Sequence, residues 1–167
     1  KKNIIYFDNG ATSLKPFEVV EAMEDYYYNY GANIHRGDYD ISLKASNKYE
    51  EVRDKVKRFI NADSSREIVF TGGDTLSLNM IVFGFMEDYL NEEDEVLLTK
   101  SEHASLVLPF MELAKKKKLV LKYVPLTSDH ELTPKNLEAT ITEKTKVIAV
   151  AHITNVLGDV RDIKKIT

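Results

Sequence analysis

Cysteine is absent from the 167-residue sequence. A disulfide framework, a cysteine zinc site and a thiol nucleophile are therefore excluded within these residues, and no metal site is expected. An excess of positive charge is also missing. The 23 Lys and Arg are outnumbered by 27 Asp and Glu, leaving a net charge of −4. That balance argues against a general nucleic-acid binder, whose phosphate contacts need a basic surface. The single basic run, Lys115 to Lys118, falls at the end of an expected helix, where positive charge complements the dipole. No apolar stretch approaches the length of a membrane span, so no membrane partner is expected. Lys1 to Tyr6 is too short and too polar at its flanks for a signal peptide, which makes a cytoplasmic location the expectation. Gly and Pro are sparse, at 7 and 4, and no repeat or low-complexity segment is visible. Neither G-x-G-x-x-G nor G-x-x-x-x-G-K-[ST] occurs, which removes support for nicotinamide and nucleoside-triphosphate binding.

What is present is the balance of an ordinary globular protein, 43% hydrophobic and 30% charged. Ile4 to Phe7 is apolar and extended in character, and it runs into the polar cluster Asp8-Asn9-Gly10. A helix is expected from Pro16, with Val19, Val20, Met23, Tyr26 and Tyr27 at helical spacing and Gly31 as its stop. A second helix carries Tyr49, Val52, Val56 and Phe59 as one stripe. From Arg66 the pattern alternates. Strands are expected at Glu67–Thr71, Glu95–Thr99, Leu119–Val124 and Lys146–Ile153. Helices are expected from Asp74, over Ser105–Lys117 with Pro109 in the first turn, and over Pro134–Ile141. The fold class is α/β, a mostly parallel sheet covered by helices. Residues 1–65 form an N-terminal extended segment with two helices, and 66–167 begin the α/β domain.

Open α/β sheets bind ligands beyond the carboxyl ends of their strands. The loops there hold Thr71 to Thr75, Ser101 to Ser105 and Thr154 to Gly158. Gly72-Gly73 opening a helix suits an anion such as phosphate, with the Thr75 hydroxyl adding a hydrogen bond. The same turn followed by Asp74 also suits plain helix capping. His103 is an acid, base or stacking partner by residue type, and a surface or half-buried histidine by default. His152, inside an apolar strand, is expected to pack in the core, and His130 sits in a polar turn beside Asp129 with no special role. For His35 and Arg36, in a loop near Gly31 and Gly37, an anion contact and simple solvation both remain open.

The order of five segments is similar to that of the class V aminotransferase family, and within it resembles the Suf-type cysteine desulfurases. The segments are Tyr6 to Thr12, Ala32 to Gly37, Ile68 to Thr71, Glu102-His103 and His152 to Gly158. The resemblance implies the large domain of a type I pyridoxal-phosphate-dependent transferase working as a homodimer. The implied reaction takes L-cysteine to L-alanine and passes sulfur as a persulfide to an acceptor protein for iron–sulfur cluster assembly. In this chain it implies Asp74 and Thr75 at the cofactor phosphate and His103 stacked on the pyridine ring, moving protons. It also implies Asn155 at the ring or the substrate, and Asn9, Ala11, His35 and Arg36 on the substrate side. The chain departs from the family at Gly10, Gly72, Asp74, Leu76 and Ala104, where Ala, Arg, a small or hydroxyl residue, Glu and a second His are usual.

The family's Asp partner of the pyridine nitrogen, its cofactor-anchoring Lys and its sulfur-accepting Cys have no counterpart before Thr167. An N-terminal fragment, inactive alone and binding cofactor poorly, is the expectation. Alternatives within the resemblance are a selenocysteine lyase or another class V enzyme. Outside it stands a non-catalytic assembly module built on Tyr26, Tyr27, Tyr28 and Tyr30, whose rings suit an interface.

Overall fold

The computed structural model describes residues 3–167. The chain divides into two compact units, Lys1–Phe70 and Thr71–Thr167.

In the first unit, α1 spans Phe17–Asp25 and relaxes into a π-helical turn over Tyr26–Tyr30, which ends at Gly31. No residue of α1 is buried, and Tyr27 and Tyr28 are also exposed. Tyr30 alone of the four tyrosines is buried. Its ring lies under the Lys44 and Lys48 ammonium groups of α2 (Asp40–Phe59), and its hydroxyl accepts from Lys48 Nζ at 2.9 Å. Cation–π attraction thus fastens the tyrosine turn to α2. The strand expected over Glu67–Thr71 does not form. Ser65–Glu67 is a 3₁₀ turn, and Ile68 is extended without a strand partner. Its backbone oxygens are claimed by a side chain instead. Arg53 donates from Nε to Ile68 O at 3.2 Å and from Nη2 to Ser65 O at 2.5 Å.

The second unit is built on three parallel strands in the order β2-β1-β3. They are β1 (Glu95–Leu98), β2 (Val120–Tyr123) and β3 (Thr145–Ile148). The register pairs Glu95 with Val120 and Leu98 with Tyr123. On the other side Val96 faces Val147 after a one-residue irregularity. Every residue of β1 is buried, as a central strand covered on both faces requires. Val96 and Leu98 join Val82, Leu90, Phe110, Leu113 and Leu119 on one face. Leu97 points the other way, to Val124, Leu132 and Leu137. The period-2 alternation of one four-residue strand therefore supplies two cores.

Helices flank this sheet. α3 (Asp74–Met80) continues through a π-helical stretch, Ile81–Met86, into the short α4 (Glu87–Tyr89). α5 spans Ala104–Lys117 and ends on Lys118 in the left-handed conformation. Pro109 is its sixth residue and buried, so it lies past the first turn where it was expected. α6 (Pro134–Glu138) is capped by Thr133, whose hydroxyl accepts from Asn136 N, and α7 spans Ile163–Ile166. β3 stops at Ile148, short of the expected Ile153. His152 is consequently exposed rather than packed in the core. Past β3 the chain folds back on itself, with Ile153 bridging Val160 in antiparallel fashion and Arg161 N donating to His152 O at 2.9 Å.

Candidate functional site

From β1 the chain crosses through α5 to β2, then returns through α6 to β3 on the opposite side of β1. The strand order reverses at β1, and such a reversal opens a crevice at the carboxyl ends of the strands. A cleft of about 480 Å³ lies there. It is lined by Lys100 to Ala104 after β1, by Leu126 and His130 after β2, and by Asn155, Val156 and Leu157 after β3. His103 and Asn155, 52 positions apart in the numbering, thus share one wall system. The volume is in the range of small-molecule sites, roughly 300–1,000 Å³.

Local bonds hold the His103 ring and the turns that carry Asn155 and His130. His103 is the N-cap of α5; its Nδ1 accepts from Ser105 N at 3.1 Å and lies 2.7 Å from Ser105 Oγ. Asn155 rides on a turn whose anchor is Thr154, a residue only 2% exposed. Thr154 Oγ1 accepts from Asp159 N at 3.0 Å, and Thr154 O accepts from Gly158 N at 3.0 Å. Gly158 adopts φ 70°, a conformation that suits glycine and closes the turn. His130 also has a positive φ, 66°, in a turn that Thr127 and Glu131 close.

Beneath the cleft is a polar cluster that sequence reasoning missed. The Glu102 and Arg161 side chains are both fully buried and pair at 2.5 Å. Glu102 Oε2 accepts from Ala151 N at 2.8 Å, and Oε1 accepts from Thr99 Oγ1 at 2.6 Å. Arg161 donates further to Thr99 Oγ1, Ser101 Oγ and Ala151 O. Its Nε faces Asp159 Oδ2 at 3.5 Å, an ion-pair distance too long for a hydrogen bond. The cluster ties the loop after β1, the exit of β3 and the 159–161 segment together. No sequence signal singles it out beyond the strand-end rule, because its members are spread over 62 positions.

Asp74 and Thr75 do not line the cleft; they begin α3. Gly73, at φ 151°, is the N-cap, and no side chain caps the helix, so Asp74 does not perform the capping its sequence position suggested. The backbone N–H groups of Asp74, Thr75 and Leu76 have no hydrogen-bond acceptor among the described residues. Thr71 Oγ1, bonded to Gly73 O and to Ser77 Oγ, steadies the turn that leads into them.

The remaining sequence candidates belong to the first unit. Asn9 and Ala11 lie in an exposed turn, where Ala11 N and Thr12 N both donate to Asp8 O and the Tyr6 hydroxyl donates to Thr12 O at 2.7 Å. His35 and Arg36 line a polar pocket of about 530 Å³ with Ser46, Asn47 and Glu50. His35 sits at φ 59°, with Nε2 3.1 Å from Glu50 Oε1 and its backbone N–H donated to Ser46 Oγ at 2.9 Å. Among the described residues there is no group of acidic, His or Cys side chains placed to hold a metal ion. No helix among them is long and apolar enough to cross a membrane.

A parallel sheet with helices on both faces and a His- and Asn-lined crevice at its point of strand reversal defines an α/β fold with a candidate ligand site at its strand ends. Its sequence matches the profile of the family "Aminotransferase class-V" over residues 5–167. The chain belongs to that family. It is 40% identical over 163 residues to a protein of Halalkalibacterium halodurans named "Probable cysteine desulfurase", covering 98% of this chain and 40% of that protein. The apo structure of a cysteine desulfurase from Thermococcus onnurineus superposes with a TM-score of 0.91 at 40% identity, covering 98% of this chain and 40% of that one. A structure titled "SspA in complex with cysteine" matches with a TM-score of 0.85 at 25% identity, over 96% of this chain and 46% of that one. The chain spans about 40% of the length of the relatives it matches.

Proposed function

We propose that this chain is the N-terminal part of a pyridoxal-phosphate-dependent cysteine desulfurase. The proposed substrate is L-cysteine, whose C–S bond is cleaved to leave L-alanine, the sulfur passing as a persulfide to an acceptor protein for iron–sulfur cluster assembly. The single observation that carries the reading is the shared cleft of His103 and Asn155 at the strand reversal. A homodimer in the cytoplasm is the setting the family resemblance suggests.

The chemistry of these residues supports the cofactor reading. The cleft holds a flat aromatic partner in His103 and an amide in Asn155, both on loops braced from below. The three unpaired N–H groups at the start of α3, with the Thr75 hydroxyl beside them, have the chemistry of a phosphate cradle. Pyridoxal phosphate supplies an electron sink for the carbanion; the protein supplies orientation and electrostatics. In this reading His103 lies against the pyridine ring, and Asn155 orients the ring's oxygen side or the substrate. Asp74 and Thr75 hold the phosphate. Asn9, Ala11, His35 and Arg36 are carried as substrate residues on the family resemblance alone.

Purification of the full-length protein is the test. An absorbance band above about 400 nm that borohydride abolishes is expected for a cofactor held on a lysine. A colourless protein that takes up no pyridoxal phosphate rules the reading out. Turnover of cysteine against selenocysteine separates a desulfurase from a selenocysteine lyase.

A further inference from the structure

We infer that Ser105 fixes His103 as the neutral tautomer protonated on Nε2, so that the ring presents a hydrogen-bond donor, not a base, to the cleft. His103 caps α5 with a ring nitrogen in place of the usual Ser, Thr, Asp or Asn oxygen. The backbone N–H of Ser105 lies 3.1 Å from Nδ1 and can only donate. Nδ1 must therefore keep its lone pair, and the single proton of a neutral imidazole goes to Nε2. The Ser105 hydroxyl, 2.7 Å from the same nitrogen, adds a second donor. Nε2 has no partner among the described residues, and the ring lines the cleft.

The consequence is chemical. A ring in this tautomer orients a lone-pair-bearing atom of whatever occupies the cleft, a carboxylate or thiolate for instance. It cannot accept a proton at Nε2, which is already filled. Acceptance there requires the proton to sit on Nδ1, facing a backbone N–H that cannot turn round. The Ser105 hydroxyl is the one partner able to reverse and serve both tautomers. Ser105 is thus a positioning residue that acts through His103. The mechanistic weight of this assignment rests on the proposed cofactor site, but the tautomer itself does not.

Nitrogen-15 NMR of the histidine rings in the full-length protein reads the tautomer directly, with His103→Gln identifying the resonances among the 4 histidines of this chain. Nδ1 is expected in the unprotonated, pyridine-like range and Nε2 in the pyrrole-like range. Ser105→Pro, in the first turn of α5, removes the backbone donor, so the ratio of the two tautomers should fall by roughly three- to tenfold, as for loss of one neutral hydrogen bond. Ser105→Ala keeps the backbone donor and loses only a hydroxyl that serves either tautomer, so it should leave the ratio near that of the parent. A pyrrole-like Nδ1 in the parent protein, or a tautomer ratio that Ser105→Pro leaves unchanged, overturns the inference. A colourless protein with the Nε2–H tautomer would support it while overturning the cofactor reading, so the two failures are distinguishable.

Discussion

Replacing Glu102 with glutamine is the sharpest perturbation of the scaffold under the cleft. The change keeps side-chain volume and removes one charge, leaving Arg161 buried opposite a neutral amide. Neither amide orientation is good. With the oxygen toward Arg161 and Thr99, the NH₂ meets the Ala151 N–H; flipped, the NH₂ meets the guanidinium. Breaking a buried pair from one side costs about 3–5 kcal/mol. Arg161 retains Thr99, Ser101, the Ala151 carbonyl and, more distantly, Asp159, which places the expected cost near the lower end, about 3 kcal/mol. That is a large share of the ~5–15 kcal/mol by which a typical domain is stable. Urea unfolding followed by far-ultraviolet circular dichroism should show the midpoint drop by about 1–3 M, at slopes of ~1–3 kcal/mol per molar. The Ala151 amide should lose hydrogen-exchange protection first. Adding Arg161→Met should recover part of the loss, because the uncompensated charge is gone. A midpoint shift under about 0.3 M would refute the claim that this cluster holds the cleft's loops together.

Glu95 carries a pH dependence of definite sign. Its carboxyl is held below the ordinary value of 4.5, first by the Lys122 hydrogen bond and then by Thr142, so its stabilisation is complete above that value and fades as pH falls through the lower folded value. Thermal melts on acidification should therefore decline less steeply for Glu95→Gln than for the parent. Leu98→Ala, at a fully buried position of the central strand, should cost about 2–5 kcal/mol in the same urea assay. Val120→Ala, on a half-exposed edge strand, should cost about 1 kcal/mol or less. In the full-length protein, Asn155→Ala should leave the unfolding midpoint within error and weaken pyridoxal phosphate retention, read by dialysis and absorbance. Equal retention by variant and parent removes Asn155 from the cofactor contacts.

Much of the second unit was legible residue by residue. β1 reads as a short apolar run because Val96, Leu97 and Leu98 are covered on both faces of the sheet, with the one polar residue, Glu95, at the strand's start, and α5 reads from its apolar spacing and its lysine-rich end. The failures share a cause. Val69 and Phe70 have strand composition, yet a strand exists only where another backbone pairs with it, and Arg53 takes the Ile68 oxygen instead. His152 follows an apolar run whose pairing stops at Ile148, so its burial was misjudged with the strand's end. His130 was set aside as turn decoration because nothing local reveals that the turn after β2 closes over the crevice.

The sequence by itself determined the helix and strand periodicity, the strand-end loops worth inspecting, and the family, since each is carried by residues close together in the chain. Only the tertiary structure decided that His103, His130 and Asn155 face one cleft and that Glu102 and Arg161, 59 positions apart, pair beneath it. Short-range pattern encodes backbone preference. A buried charge pair is stable only when distant segments exclude water from it together, and that condition cannot be written into any one segment.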